Sequence, residues 1–193
     1  MENKEEKRIC FLYTETTGLH NTYENVSKKK LYAFARLVKL NYEIGYFKDN
    51  EFYQEKVVKE IVKPRCMVIP KETEVYHGIS QELAEKKGIC PEILIEKFKN
   101  DINSYKVEII VSHNADFHIK TVLAEAIRYN IQLEFANHII IDTISFNHDY
   151  GYIKLLDLAD KLKIKNKDEK DKLELIKIAF FKLYIKFEKS IKS

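Results

Sequence analysis

The order of the predicted elements constrains the fold of this 193-residue chain more than any other feature of its sequence. Residues Arg8–Tyr13 alternate between apolar and polar types and lead to a loop at Gly18, which predicts a first strand. Two further strands are predicted at Leu31–Tyr42 and Gln54–Lys63, joined by a polar turn over Glu43–Glu51. The pattern thus begins with three antiparallel strands.

After these strands, helices alternate with short apolar strands. Helices are predicted at 71–77, 80–87, about 91–104, about 116–129, 152–162 and 168–189, and strands at 107–111 and 139–141. This order predicts an α/β fold in which a mixed five-stranded sheet is flanked by helices. Ligands in such sheets bind at the carboxyl ends of strands, so we expect the chemistry just after Tyr13 and Val111.

Composition excludes several classes of protein. An apolar content of 45% with twelve tyrosines excludes a disordered chain, and the length suits one domain. No apolar run approaches the 18 residues of a membrane span, and the charged start lacks the apolar segment of a secretory signal. Three cysteines without metal-ligand spacing indicate reduced thiols and hence a cytoplasmic location.

The charge of the chain does not by itself indicate a partner. A net charge of +3 is too small to predict nucleic-acid binding. The basic clusters at Lys28–Lys30 and Lys161–Lys172, each taken alone, are typical of a solvated lysine-rich surface.

Four groups of residues carry the functional signal. They are Phe11–Leu19 (FLYTETTGL), Val62–Pro64 with Ile69–Pro70 and Tyr76–Ser80 (VKP, IP and YHGIS), Ser112–His118 (SHNADFH) and Ile141–Thr143 (IDT). In this order they resemble the DEDD-type 3′–5′ exonucleases, the family of the proofreading exonucleases and ribonuclease T. The family sequences that correspond to the first three groups are Phe-Leu-Asp-x-Glu-Thr-Thr-Gly-Leu, Val-Lys-Pro with Ile-Pro and His-Gly-Ile-Thr, and His-Asn-Ala-x-Phe-Asp. The fourth group matches the end of the family's strand before the final helices. The resemblance extends from Ile9 to about Leu183 and implies the ribonuclease H-like fold, with a single exonuclease-like domain whose core spans about 8–187.

The family's metal-binding carboxylates are mostly replaced in this chain. In the family, four carboxylates hold two divalent cations. Here Glu15 is retained, Tyr13 stands in place of the first Asp, and His118 in place of the second. The third family motif, His-x-Ala-Leu-x-Asp-Ala, is best matched by residues 170–176, so that Lys170 replaces the catalytic His and Leu175 the last Asp.

These replacements change the chemistry that the resemblance implies. A phenol with a pKa near 10 is not a ligand for a hard cation at neutral pH, and a protonated lysine cannot accept the proton of an attacking water. We therefore expect no metal cofactor and a catalytically degraded protein. With one negative charge on Glu15, one positive on Lys170 and zero or one on His118, the cleft is near neutral or slightly positive. Such a cleft suits a phosphate, and we expect it to bind the end of a single-stranded DNA or RNA without cutting it.

The resemblance also names residues that line the substrate groove. These are Thr16, Thr17, Leu19, His77, Gly78, Ile79, His113, Asn114, Phe117 and Lys170. Five of them have a simpler structural interpretation: Leu19, Ile79 and Phe117 as core, Asn114 as a helix cap, and His113 as a partner of a local backbone group.

Two alternatives remain open. One is an active exonuclease with an altered magnesium or manganese site, using Asp171, Glu174, or His118 together with Glu15. The other is a structural protein, because Phe181 and Ile185 make the last helix apolar over more than one stripe. Such a surface would suit a protein partner or a homodimer.

Overall fold

The computed structural model describes residues 6–49, 51–145, 151–164 and 171–191, with side chains described as far as residue 185. Its strands are β1 (Arg8–Thr16), β2 (Leu37–Lys48), β3 (Glu51–Ile61), β4 (Val107–Ser112) and β5 (Ile139–Asp142). Its α-helices are α1 (Lys71–His77), α2 (Gln81–Lys87), α3 (Pro91–Ser104), α4 (Ala115–Arg128), α5 (Leu155–Lys161) and α6 (Lys172–Ile191), and a 3₁₀ helix spans Lys28–Ala33.

The five strands form one mixed sheet in the order β3-β2-β1-β4-β5. Strand β1 pairs antiparallel with β2 and parallel with β4, and β4 pairs parallel with β5. Helix α4 provides the crossover between the two parallel strands β4 and β5. The predicted α/β fold with a mixed five-stranded sheet flanked by helices is confirmed.

The alternation of side chains along β1 divides the interior into two apolar clusters. Leu12 lies in the cluster with Phe98 of α3 and Val122 of α4. Phe11 and Tyr13 lie in the cluster on the other face, with residues of α5 and α6. Because successive residues of a strand point to opposite faces, Tyr13 and Glu15 share the α6 face while Thr14 points towards α4.

The helices before β4 have the predicted bounds, and two of them begin at the residues that the sequence indicated as helix starts. The Ser80 hydroxyl caps α2 by accepting a hydrogen bond from the N–H of Leu83 (3.1 Å). Pro91 opens α3 at its first residue, where no backbone N–H is required.

The predicted polar turn over Glu43–Glu51 is wrong, and so is a strand beginning at Leu31. Strand β2 begins at Leu37, after the 3₁₀ helix, and continues to Lys48. The polar residue that suggested a turn, Glu43, is buried and accepts two hydrogen bonds from the Lys177 ammonium (2.9 and 3.2 Å). A partner distant in sequence therefore keeps this charged residue inside a strand.

Helix α6 begins at Lys172 and packs against the β2–β3 hairpin. The Phe181 ring stacks on Phe47 (4.9 Å between ring centroids) and contacts Phe11 and Phe52. Phe181 therefore belongs to the interior, whereas Ile185 is 40% exposed. A partner or homodimer at this helix stays a prediction. Within the described residues, no helix combines the length and apolarity that a membrane crossing needs.

We predict that Lys177→Ala lowers the free energy of unfolding by about 3 kcal/mol, because it leaves the Glu43 carboxylate buried without its cation. Urea unfolding of the two proteins measures the difference. Lys7→Ala is the matched control, since Lys7 and Glu108 form an exposed ion pair worth less than about 1 kcal/mol. Equal losses in the two variants would contradict the role assigned to Lys177.

Candidate functional site

The candidate site lies where β1 ends, on the face covered by α6. Tyr13 is buried in the same apolar cluster as Leu175. Burial raises the pKa of Tyr13, and the nearby Glu15 carboxylate raises it further. Tyr13 is therefore a neutral phenol, and Leu175, which the sequence comparison aligned with the last acid, is fully packed in this apolar cluster.

Glu15 is half-buried and has two lysines near its carboxylate. Burial raises the pKa of Glu15, while a hydrogen bond from the Tyr13 hydroxyl and the ammonium groups of Lys172 and Lys39 partly offset the increase. Lys39 faces Glu15 across the β1–β2 ladder, and Lys172 is the first residue of α6. In the described part of the chain, neither lysine forms an ion pair, so the two ammonium groups give the cleft an excess of positive charge over Glu15.

Neither Lys39 nor Lys172 was predicted as a site residue from the sequence. Lys39 could have been found only from the strand register, which places it opposite Glu15. Lys170, the lysine predicted for this position, lies outside the described residues.

His118 is held by hydrogen bonds on both ring nitrogens. Its Nδ1 accepts from the N–H of Thr14 (3.1 Å) and therefore also from the Thr14 hydroxyl (2.8 Å), since an N–H can only donate. Its other ring nitrogen bonds to the backbone carbonyl of His113. Burial lowers the pKa of His118 to about 3, so its charge is zero rather than variable at physiological pH. Neither ring nitrogen is available to join Glu15 in a metal site.

The residues predicted at the start of α4 are used within the protein. The His113 Nε2–H donates to the backbone carbonyl of Ile153 (2.9 Å), and its Nδ1 accepts from the Thr143 hydroxyl (2.7 Å). Asn114 is the first cap residue of α4, in the left-handed conformation with φ at 65°, but its side chain makes no capping bond. Asp142 performs that role, because its carboxylate accepts the N–H groups of Asn114 (3.0 Å) and Ala115 (2.8 Å).

The loop after β1 is held by its threonines and leaves Leu19 exposed. The Thr16 hydroxyl donates to the carbonyl of Gly18 (2.6 Å). The Thr17 hydroxyl accepts from the N–H of Arg36 (2.9 Å), and the Thr17 N–H donates back to the Arg36 carbonyl (2.9 Å). Leu19 is 81% exposed, so it is not a core residue.

The end of α1 contributes a different residue from those predicted. Ile79 is buried with Val38 and Ile69. Gly78 ends α1 in the left-handed conformation (φ 73°), and His77 Nδ1 accepts the N–H of Ile79 (3.1 Å). Tyr76, by contrast, is 75% exposed and close enough to Glu15 for the two groups to affect each other electrostatically. Its position just before the His-Gly-Ile motif was the signal that could have found it.

Phe117 lies half-buried at the start of α4. Its ring stacks on His20 (4.4 Å between centroids), and His20 Nδ1 accepts the N–H of Ala35 (3.1 Å). Phe117 thus anchors the loop after β1 to α4.

The acids that could have replaced the missing carboxylates are paired with lysines. Asp171 contacts the Lys59 ammonium (2.6 Å), and Glu174 contacts Lys177 (2.7 Å). Burial alone would raise the pKa of Asp171, but Lys59 and the N–H of Glu174 hold it below its usual value. Within the described ranges, no group of three or more His, Cys, Asp or Glu residues is arranged to hold a metal ion.

Solved structures that superpose on this chain include those of exonuclease I. The product-bound structure of exonuclease I superposes with a TM-score of 0.75 at 12% identity, covering 94% of this chain and 44% of that chain. E. coli exonuclease I in complex with a 5cy-dA13 oligonucleotide gives 0.69 at 15% identity (92% and 40% covered), and its complex with dT13 gives 0.66 at 14% (93% and 40%). This chain shares the fold of exonuclease I.

The likeness to exonuclease I covers less than half the length of that protein. No protein-family model matches the sequence, and no curated protein matches it. At identities of 12–15%, the superposition shows the fold alone, and the function has to be argued from the site itself.

We predict that His118 makes the protein sensitive to acid. Its pKa in the native state is about 3, below its ordinary value of 6.5, so the unfolded chain takes up the proton first as the pH falls. The free energy of unfolding should therefore fall by up to ~1.4 kcal/mol for each pH unit between 6.5 and about 3, because the unfolded chain binds this proton and the native protein does not. Urea unfolding at pH 6, 5 and 4 would show the wild type losing stability faster than His118→Gln, which does not titrate. Parallel pH profiles of the two proteins would refute the prediction.

Proposed function

We propose that this chain binds the ends of single-stranded nucleic acid in the cleft at the end of β1 and does not hydrolyse them. The observation that carries the proposal is the pair of lysines beside Glu15. Lys39 and Lys172 supply cations at the point where a two-metal nuclease of this fold would hold carboxylates and divalent ions. Ammonium groups bind phosphate as point charges without activating a water molecule.

The described donor atoms do not fit a pair of hard cations. Magnesium requires oxygen ligands in near-octahedral geometry, usually including carboxylates. Glu15 is half-buried with a raised pKa, and beside it lie the neutral phenol of Tyr13 and the ammonium groups of Lys39 and Lys172, none of which is a ligand for a hard cation. Two-metal hydrolysis needs the ions to activate water and to stabilise charge at phosphorus, and this cleft offers one carboxylate for that purpose.

The surroundings of Glu15 support a strand rather than a free phosphate as the ligand. Leu19 and Tyr76 are both largely exposed near the cleft. An exposed aromatic side chain such as Tyr76 stacks on bases without regard to sequence, and Leu19 adds an apolar surface. The hydrogen bonds of Thr16 and Thr17 fix the loop that carries Leu19, which lowers the entropy cost of binding. Structures of exonuclease I hold single-stranded oligonucleotides in complex, which adds a fold-level analogy.

We expect a labelled oligothymidylate to bind in fluorescence anisotropy, with an affinity that falls with salt and does not change with EDTA. Lys39→Ala with Lys172→Ala should weaken binding and reduce the log–log salt slope by about 0.7 for each phosphate that the variant no longer neutralises. The matched control is Lys7→Ala with Lys48→Ala, which removes the same charge at the other end of the sheet. If both double variants bind equally, the lysines beside Glu15 are not the phosphate site.

A nuclease assay separates this proposal from the active alternative. We expect no cleavage of a labelled single strand above background with either Mg²⁺ or Mn²⁺. Cleavage that disappears in Glu15→Ala would contradict the proposal and establish an exonuclease with an altered metal site. If the protein has no affinity for DNA or RNA strands, the alternative that stands is a structural role with a protein partner or homodimer at α6. Measuring the mass in solution with and without α6 would test that alternative.

A further inference from the structure

We infer that a second pocket beside the cleft holds the base of the nucleotide that precedes the terminal one; this inference rests on the proposed function. The pocket has a volume of about 460 Å³ and lies between the loop after β1 and the 3₁₀ helix. Thr17 and Leu19 form one side of it, and Tyr32, Arg36 and Arg128 line it elsewhere. Its volume is within the range of about 300–1,000 Å³ usual for small-ligand sites.

Two arginines bonded to one buried carboxylate make the pocket rigid and leave it positively charged. Glu125 is buried and accepts hydrogen bonds from Arg36 Nε (2.8 Å), Arg128 Nη1 (2.8 Å) and the N–H of Leu37 (3.1 Å). Two guanidinium groups against one carboxylate leave one net positive charge at the pocket. This charge favours the phosphodiester backbone of a strand.

The same network fixes the shape of the pocket. Arg128 Nη2 donates to the backbone carbonyls of Leu31 and Phe34 (2.7 Å each), which ties the 3₁₀ helix to α4. Arg36 is joined to Thr17 by backbone and side-chain hydrogen bonds. A ligand therefore meets a preformed site and does not have to order it.

An aromatic ring is available for stacking at the edge of the pocket. Tyr32 lines the pocket and is 85% exposed, so its ring contributes little to the core. Leu19 lines the pocket and belongs to the loop that continues directly from Glu15. A strand with its terminal phosphate at Lys39 and Lys172 can pass over Leu19 and place its next base against Tyr32. The chemistry expected of the occupant is a single-stranded nucleotide, with its base stacked and its phosphate near the guanidinium groups.

Binding of a 5′-labelled oligothymidylate to the full chain tests this assignment. Tyr32→Ala should weaken binding about fivefold or more because the stacking is removed, and Tyr32→Phe, which keeps the ring, should restore most of the affinity. Tyr23→Ala is the matched control, because Tyr23 is 99% exposed but does not line the pocket. Equal affinities of the Tyr32→Ala and Tyr23→Ala proteins would overturn the inference.

A strand lacking the base at the second position from its 3′ end tests which nucleotide is held. The wild type should bind this strand about as weakly as Tyr32→Ala binds the intact one, and Tyr32→Ala should show no further loss. Additive losses would overturn the inference. If the protein binds the oligonucleotide but Tyr32→Ala does not weaken binding, only the assignment of the second pocket is refuted. If the wild type does not bind at all, the proposed function is refuted as well.

Cys66 provides a readout that does not depend on affinity. It lines the pocket and is exposed, whereas Cys90 lies outside the pocket at the start of α3. Saturating oligonucleotide should slow the reaction of Cys66 with a maleimide and leave the rate at Cys90 unchanged. Equal rates at Cys66 with and without the strand would contradict the assignment.

Discussion

At the end of β1, the N–H and hydroxyl of Thr14 both bond to the buried ring of His118, and this contact holds β1 against α4. An ionisable group that is buried away from water is stable only when it is neutral or paired with an opposite charge. Three groups follow this rule: His118 is neutral, Tyr13 is an un-ionised phenol, and Asp171 is bonded to Lys59.

The position of α6 depends on the same constraint. Glu43 is buried in the sheet, and Lys177 reaches it from the helix, so this ion pair helps to position α6 together with the ring contacts of Phe181. This places Lys172 beside Glu15 and Leu175 in the apolar cluster with Tyr13. The same packing that buries Leu175 brings the cation of Lys172 beside Glu15, where we propose that a phosphate binds.

Much of the fold was predictable because it follows from local patterns. The bounds of α1 and α3 match the prediction, as does the capping of α2 by Ser80. The β2–β3 hairpin was not predictable, because the charged Glu43 indicates a turn. Only its pairing with Lys177, far along the chain, allows it to lie inside a strand. In the site, the motif order located Glu15, Tyr13 and the exposed Leu19. Ile79 and His113, named by the same motifs, are buried, which a motif cannot reveal.

By itself, the sequence determined the mixed α/β sheet and the residue types that stand in the exonuclease-like motifs, since both depend on residue type and order along the chain. The tertiary structure decided the charge of the cleft. The register of β2 against β1 and the docking of α6 bring Lys39 and Lys172 to Glu15, and burial makes His118 neutral. Electrostatic energy depends on distance and on exposure to water, and neither quantity is set until strands and helices distant in sequence have packed together.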